Sequence, residues 1–483
     1  GAPVVAEVSG TDLLAVRAAL ADADPDGRLA TPVVRTVPAN NAARATVAVI
    51  PEQFKDIAYF PGGGPSDQVW KRLAAPGTPP IEVTGGDLRL TLTDTSLHSE
   101  RVGGGSQPVT FGLDLEIVAT GELLHVTLGE LAKRARTVTL SGSASCRTGC
   151  YVTGIWLGTL PGATIGGQAT VGALTAGGTA VPLGPSGRWN GFLDIDQGGI
   201  RAAPGSGPDE LVLQADGRGA SELTLQHAWI PGELPALVAG SLPPDSSDNH
   251  FMLMGLDAED QAGVRVGDLA RVPAAGPQTS IVNLDLAVRG TQLAATDRVT
   301  VWLANDDPAL LSRVREALSD HQVRMTDVRR LTDVRRSYDE SAAAWSLQLA
   351  ALVGAAALLI ALLVLVVSAV SSWRFRTRDL AALRMAGVPR RSIGTMSVAS
   401  QLPAVVVGVV AGTAAGLYGA QLALPIVPLF AEAPLVSTLD LGVAWGAVLL
   451  AALAALVVLG LGAVLVGRAM ARRAVLRRLR ETI

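Results

Sequence analysis

Residues 341–373 read SAAAWSLQLAALVGAAALLIALLVLVVSAVSSW and contain no Asp, Glu, Lys or Arg. About 20 apolar residues in a helix cross the ~30 Å hydrocarbon core of a bilayer, so this stretch predicts a transmembrane helix over about 344–372. Trp345 and Trp373 stand near its ends, which is typical of interfacial anchors. The arginines that follow it are Arg374, Arg376, Arg378, Arg384, Arg390 and Arg391. Because short Arg-rich loops stay in the cytosol, this span is predicted to run from outside to inside.

Two further uncharged stretches predict transmembrane helices over about 394–424 and 441–467. The loop between them contains Glu432 and Asp440 but no lysine or arginine, so it is predicted to lie outside. The arginines after the third stretch are Arg468, Arg472, Arg473, Arg477, Arg478 and Arg480. The pattern predicts a multi-pass protein of the cell (plasma) membrane with residues 1–340 extracytoplasmic and a cytosolic C-terminus.

The composition fits a large folded head on a membrane anchor. The chain has 483 residues, of which 49% are hydrophobic and 17% charged, and a net charge of −4. Residues 1–340 are long enough for more than one domain. No basic face for nucleic acid is indicated, because membrane topology already explains the arginine clusters. A chain that starts outside the membrane needs a segment to carry it across, so we expect a segment before Gly1, which is not a methionine.

The chain has two cysteines, Cys146 and Cys150, in the sequence Cys-Arg-Thr-Gly-Cys. In an oxidising exterior such a pair can close a small loop as a disulfide, and Gly149 eases the turn. Free thiols are the alternative. A metal site is disfavoured because it would need four ligands, and no histidine lies within 20 residues of the pair.

Two β-α-β patterns predict one α+β extracytoplasmic domain, split into parts at residues 1–81 and 239–330. The first pattern includes a helix over about 12–22, preceded by capping residues. In the second, a strand leads into a helix that is predicted to be capped by Asn305 or Asp306.

Residues 82–238 contain short alternating runs separated by Gly, Ser and Pro at roughly ten-residue spacing, which predicts an inserted β-sandwich-like domain. Asp194 and Asp196 can serve as an acid and a base or as calcium ligands, but an exposed strand end is the favoured interpretation. Trp189 beside Asn190 can stack on a sugar, although packing in the core is favoured.

Motifs of known enzymes are nearly absent from the sequence. No Gly-Lys dipeptide occurs, which excludes a Walker A loop, and no His-Glu-x-x-His occurs. The five histidines are scattered singly. The sequence therefore predicts no catalytic residues and no metal or cofactor site in this chain.

The spans carry no Asp, Glu, Lys or Arg at mid-depth, which disfavours ion-coupled transport. The second span contains Gly408, Gly412 and Gly416, whose spacing predicts a helix-packing seam within the bundle or across a dimer. Before the first span, Thr332 is predicted to cap a helix that runs unbroken into the membrane and forms a stalk over 331–345.

The loop between the first two spans carries the most specific motif. Residues 376–393 read RTRDLAALRMAGVPRRSI, an amphipathic helix that ends at Gly387 and restarts after Pro389. This motif resembles the loop between the first two of the three C-terminal spans in FtsX/MacB-type permeases, subunits of mechanotransmitting ABC transporters. The resemblance covers about 338–483, and the family usually has Glu where this chain has Asp379.

The resemblance implies that loop 375–393 is a coupling helix that docks on a separate ABC ATPase. The implied contacts are Arg378, Asp379, Leu383, Arg384 and Gly387. ATP and magnesium would be bound by that partner, so this chain is expected to need no cofactor and to be no enzyme. The resemblance also implies an initial span before the head, contact with membrane lipid, and a second permease copy or tandem half.

The function expected from these features is a permease subunit that couples ATP hydrolysis to movement of its extracytoplasmic domain. The output would be export or extraction of a substrate, or regulation of a cell-wall enzyme. The alternative is a membrane-anchored binding or adhesion protein with a glycan- or peptide-binding β-sandwich and no ATPase.

Overall fold

A computed structural model describes most of the chain. The described residues are 2–36, 44–60, 63–74, 77–101, 104–131, 136–191, 193–194, 198–207, 210–218, 221–242, 246–273, 275, 278–340, 342–372, 382, 386–387, 389, 392, 395–396, 399–400, 402–423 and 443–473.

The chain divides into two compact units, Gly1–Thr332 and Asp333–Ile483. The first unit, the head, combines a mixed parallel and antiparallel sheet covered by helices with two further β-sheets. Among its described residues, the second unit contains three long apolar helices. The predicted fold class is confirmed: an α+β part with a sandwich-like β part, followed by a three-helix bundle.

The head is built around a nine-stranded mixed sheet, sheet I. Its strands in spatial order are β20 (His250–Met254), β21 (Asp260–Leu269), β19 (Leu234–Ala239), β22 (Thr279–Asn283), β3 (Ala45–Val49), β2 (Ala30–Arg35), β23 (Arg298–Leu303), β1 (Val4–Val8) and β24 (Met325–Arg330). Strand β1 lies between β23 and β24, with Val4 opposite both Leu303 and Arg330. The two ends of the head sequence therefore meet in one sheet.

Helices cover both faces of sheet I. They are α1 (Leu13–Ala23), α2 (Pro51–Ile57), α3 (Asp67–Leu73), α4 (Leu284–Ala287) and α5 (Pro308–Asp320). The apolar residues that recur at helical spacing in α1 and α5 share one buried cluster with β1 and β23. On the other face, Phe54 of α2 and Trp70 of α3 pack with Trp302 of β23.

The N-cap of α5 differs from the prediction. Asp307, rather than Asn305 or Asp306, caps this helix, and its carboxylate accepts from the backbone N–H of Ala309 at 2.9 Å. Pro308 takes the first helical position, where no N–H is needed, and this fixes the cap at the residue directly before it.

Strands β4 to β18 form two further sheets that face each other. Sheet II contains, in order, β10 (Thr137–Ser143), β5 (Asp87–Thr93), β12 (Ala163–Ala176), β17 (Leu211–Arg218), β16 (Gly198–Pro204) and β15 (Leu193–Asp194), with β13 (Thr179–Val181), β6 (His98–Arg101) and β7 (Ser106–Gln107) beside it. Sheet III contains β14 (Trp189–Gly191), β18 (Glu222–His227), β11 (Cys150–Gly158), β8 (Val109–Ile117) and β9 (Leu123–Leu131), with β4 (Glu82–Val83) beside β11. Leu90, Phe111 and Leu213 are fully buried in one core between the sheets. Alternate residues point inward from both layers, as in a β-sandwich.

The division of the head at residues 82 and 238 stays a prediction. The strand pairing places β19 in sheet I, between β21 and β22. The chain therefore re-enters sheet I at Leu234, directly after the sandwich.

Within the described residues, four helices follow the last strand of the head. They are α6 (Leu331–Asp339), α7 (Ala342–Ser371), α8 (Leu402–Ala423) and α9 (Trp445–Arg473). The continuously described part of helix α8 begins at Leu402, and the described residues 395, 396 and 399 before it are also helical, so the predicted start near residue 394 stays a prediction. Pro403 follows in the first turn, where a residue without an N–H is tolerated.

Candidate functional site: the apolar helices, their connecting loop and the link to the head

In the part of the chain that the structure describes, three segments are helical, long and apolar enough to cross a membrane: Gln348–Ser371, Leu402–Leu422 and Trp445–Ala469. Many apolar residues of these helices are exposed on the described protein: Leu363 and Leu450, for example, are each more than half exposed. Exposing so much apolar surface to water is unfavourable, and a helix satisfies its own backbone in hydrocarbon. This is therefore a membrane protein.

Tryptophans mark the N-terminal ends of two of these helices. Trp345 in the first turn of α7 and Trp445 at the start of α9 are both about 60% exposed. In the predicted topology both ends face the exterior, where indole rings favour the membrane interface. Trp373, the predicted anchor at the other end of the first span, lies outside the described residues.

Helices α7 and α9 approach each other closely at one point. A side chain at Gly462 of α9 would collide with the end of Leu362 of α7. The adjacent Ala463 is fully buried. Small residues at this point allow close helix packing.

The glycine row of α8 does not take part in a comparable contact. No described atom lies within 4 Å of the position that a Cβ would occupy at Gly408, Gly412 or Gly416. The three glycines instead line an apolar cavity of about 1020 Å³ between α7, α8 and α9. The packing seam predicted for them stays a prediction.

The loop between the first two spans is described only in part. Gly387 has φ +88°, a left-handed conformation that is typical of glycine after a helix. The preceding N–H of Ala386 donates to the carbonyl of Ala382 at 3.1 Å, as in an α-helical turn. The other predicted contacts for an ATPase, Arg378, Asp379, Leu383 and Arg384, lie outside the described residues.

The link from the head to the first span begins at the edge of sheet I. Helix α6 starts at Leu331, directly after β24, and the N–H of Leu331 donates to the carbonyl of Pro3 at 2.9 Å. The hydroxyl of Thr332 donates to Oδ2 of Asp306 at 3.2 Å, and Nε of Arg330 lies 3.5 Å from Oδ1 of the same carboxylate. Thr332 is therefore a residue of the first turn rather than the predicted cap.

The predicted stalk is divided into two helices. Helix α6 ends at Asp339, Glu340 is a turn residue, and α7 starts at Ala342, with residue 341 outside the described residues. The N–H of Glu340 still donates to the carbonyl of Arg336 at 2.9 Å, so the helical hydrogen bonding extends to that residue.

A polar joint connects the sandwich to the part of the head that carries sheet I. The N–H of Gly290, after α4, donates to Oε2 of Glu116 in β8 at 2.8 Å. Nη1 of Arg289 donates to the carbonyl of Trp229 at 3.0 Å, and its guanidinium lies 5.4 Å from the centre of the Trp229 ring. Burial raises the pKa of Glu116 and lowers the pKa of Arg289.

The candidate sugar-stacking residue is part of the sandwich core. Trp189 is buried, and its Nε1 donates to the carbonyl of Leu183 at 3.0 Å. Asp194 lies in β15, but its side chain and the whole of Asp196 are outside the described residues. The favoured interpretation of Trp189 is therefore confirmed.

The two cysteines are joined in a disulfide. The Cα atoms of Cys146 and Cys150 are 5.3 Å apart, and both side chains are fully buried. Gly149 has φ +94°, and its carbonyl accepts from the N–H of Val118 at 3.1 Å, which ties the small loop to the end of β8. Across the part of the chain that the structure describes, no three His, Cys, Asp or Glu side chains converge as a metal site would need.

Several contacts between distant segments have no signal in the sequence. Asp306 with Thr332 and Glu116 with Gly290 are examples, because each pair meets only through the strand order of the head. In the structure, Gly290 has φ +67° and no room for a side chain beside Ile230, so this position requires glycine.

Comparison with known families identifies the membrane part. Residues 351–475 match the family model of the FtsX-like permease C-terminal domain, which confirms the resemblance drawn from the loop. The match extends from the first apolar helix through the connecting loop to the end of the third. It implies an ABC transporter permease function for this region. A search of curated proteins gave no significant match.

Proposed function

We propose, from the premise that residues 351–475 form an FtsX-like permease C-terminal domain, that this chain is the permease subunit of a mechanotransmitting ABC transporter. A separate ATPase binds its cytosolic loop and drives movement of the extracytoplasmic head. The observation that carries the proposal is the family match, which includes both the three spans and the loop between them.

The loop 375–393 is the ATPase contact in this account. Leu383 supplies an apolar anchor on the amphipathic helix, Arg378, Asp379 and Arg384 supply charges, and Gly387 ends the helix. ATP and its magnesium ion are bound by the ATPase, and this chain acts without a cofactor of its own.

Movement passes to the head through covalent and hydrogen-bonded links. Helix α7 follows α6 in the sequence after two residues, and α6 begins at the end of β24, an edge strand of sheet I. The contacts of Asp306 with Arg330 and Thr332 tie that starting point to the segment before α5. The joint between Glu116 and Gly290 extends the connection to the sandwich. No pore for a solute is needed through spans that lack charged side chains at mid-depth.

The proposal requires a second permease half. Two ATPase subunits close around ATP, so each needs a loop to act on, supplied by a second copy of this chain or by a tandem half. The face of Gly408, Gly412 and Gly416 suits close packing with another helix, because it lines an open apolar cavity among the described helices.

The complex lies in the plasma membrane with residues 1–340 outside and the C-terminus in the cytosol. The size of the head favours a function on the outer side of the membrane: export or extraction of a substrate, or regulation of a cell-wall enzyme.

Substitution in the loop tests the proposal. The variant Leu383→Asp/Arg384→Asp should fold and insert but lose co-purification with an ABC ATPase encoded beside its gene, because a carboxylate replaces both the apolar anchor and a positive charge. The matched control is Leu479→Asp/Arg480→Asp, a second Leu-Arg pair on the predicted cytosolic side. Unchanged co-purification of the loop variant contradicts the proposal and favours an anchored binding protein without an ATPase.

A further inference from the structure

An open trough lies on the solvent-facing side of sheet II. It has a volume of about 490 Å³, within the range of small-ligand sites. Its lining comes from strands β12, β17 and β16 and from the segment before β6. The polar side chains in this lining are Ser96, Gln168, Arg201, Gln214 and Asp216.

The strand register places three of these side chains in one row. Gln168 of β12 is opposite Gln214 of β17, which is opposite Arg201 of β16. Nε of Arg201 donates to Oε1 of Gln214 at 2.7 Å, which holds these two side chains side by side. Asp216 stands in the next row and presents a carboxylate beside the two amides.

Glycines keep the floor of the trough open. Gly167 has φ +109° and Gly198 has φ +74°, and a Cβ at either would meet the backbone, at Ser96 and Asp216 respectively. The strands therefore need glycine at these points, and the floor consists of peptide groups rather than side chains.

The lining is balanced in charge and in hydrogen-bonding groups. The positive charge of Arg201 and the negative charge of Asp216 cancel, and the carboxamides of Gln168 and Gln214 supply both hydrogen-bond donors and acceptors. Ala215 lies between Gln214 and Asp216 on the same strand, but its side chain is part of the buried core between the sheets, on the other face of sheet II. Such a surface offers little to a lipid tail or a polyanion, but it suits hydroxyl groups, which donate and accept together.

We propose that this trough binds a neutral oligosaccharide outside the membrane. A peptide is the less suitable ligand, since peptides add to sheet edges or fill apolar pockets. The trough lies on a sheet face, where the backbone groups of β17 are already bonded to β12 and β16. The site goes beyond the proposed permease function and does not depend on an ATPase.

Binding of defined sugars tests the site on the full chain. The protein is placed in lipid nanodiscs, so that no sugar-based detergent competes, and is screened against cellotetraose, maltotetraose, mannotetraose and chitotetraose by ligand-observed NMR and calorimetry. At least one should bind. The variant Gln168→Ala/Arg201→Ala should lose about ten-fold or more in affinity, because at least two hydrogen bonds to the sugar are removed.

Two further variants separate the site from general effects. Arg89→Ala removes an exposed arginine from the same face of sheet II, outside the trough, and should bind as the wild type does. Asp216→Asn keeps the side-chain shape, so a several-fold loss in a variant with unchanged thermal unfolding supports the site. Absence of binding by all four sugars, or equal affinity in the trough variants, overturns the proposal. Tighter binding of a peptide or a polyanion in the same trough also overturns it.

Discussion

The hydroxyl of Thr332 donates a hydrogen bond to Oδ2 of Asp306 at 3.2 Å, across 26 positions of sequence. The contact joins the first turn of α6 to the residues just before α5. Arg330, the last residue of β24, approaches the same carboxylate. The carboxylate of Asp306 therefore contacts both the end of edge strand β24 and the first turn of α6, the helix that leads to the membrane.

Breaking this contact should loosen the start of α6 without unfolding the head. Asp306→Asn and Thr332→Val should each lower the free energy of unfolding of the head by about 0.5–1.5 kcal/mol, and the double variant by less than their sum. Denaturant titration of the wild type, the two single variants and the double variant measures these free energies. Amide hydrogen exchange in α6 should be faster in the variants than in the wild type. Asp320→Asn, an exposed site at the end of α5, serves as the control. If the effects of the two single variants on the free energy of unfolding add up to that of the double variant, Asp306 and Thr332 do not interact directly.

Asp297 should make the head less stable as the pH rises. Asp297 is 7% exposed, and burial raises its pKa to about 6, against a smaller lowering by a backbone hydrogen bond from Ala294. Because the folded-state pKa lies above the unfolded value, stability is fully present below about pH 4 and is lost as the pH rises through 6.

Asp297→Asn should therefore be more stable than the wild type at pH 7.5 by up to about 3 kcal/mol, with the difference shrinking toward pH 4. Thermal unfolding of both proteins across this pH range measures the effect. A difference that stays constant with pH excludes titration of Asp297 as its cause.

The disulfide should stabilise the sandwich modestly. Cys146→Ala/Cys150→Ala should lower the free energy of unfolding by about 2 kcal/mol, because the closed loop is short and restricts the unfolded chain only slightly. Alkylation of the denatured wild type with and without reductant, followed by mass spectrometry, shows whether the bond is present. Equal alkylation under both conditions indicates free thiols.

Helices α7 and α9 should depend on a small residue at Gly462. Gly462→Leu should destabilise the helix bundle by about 1–3 kcal/mol, because the new side chain collides with Leu362. The matched control is Gly460→Leu in the same helix, where no described atom lies within 4 Å of the added Cβ. Unfolding in mixed micelles compares the two variants. Equal stabilities of Gly462→Leu and Gly460→Leu rule out a close approach of α7 and α9 at Gly462.

Much of the fold is encoded locally and could be predicted. Uncharged runs identified the apolar helices, and the spacing of Leu310, Leu311, Val314 and Leu318 identified the buried face of α5. The sequence prediction puts the cap of α5 a residue or two early, because Asn305, Asp306 and Asp307 all suit an N-cap and only the position of Pro308 decides between them.

The contacts in the trough and at the start of α6 are less predictable from the sequence, because they depend on strand order. Gln168, Gln214 and Arg201 form one row only when β12, β17 and β16 are neighbours in register, and no local pattern specifies that. Thr332 looked like a cap because its sequence suits one, but β24 runs directly into α6 and leaves the hydroxyl to Asp306.

Labelling of single cysteines, each introduced into the Cys146→Ala/Cys150→Ala variant and tested in intact cells, checks the central claim that the head lies outside the membrane and the ATPase-binding loop inside. Ser141→Cys places a thiol on the exposed face of sheet II, and Thr377→Cys places one in the loop. A membrane-impermeant maleimide should label the head thiol in intact cells and the loop thiol only after permeabilisation. Labelling of the loop but not the head in intact cells would contradict the account.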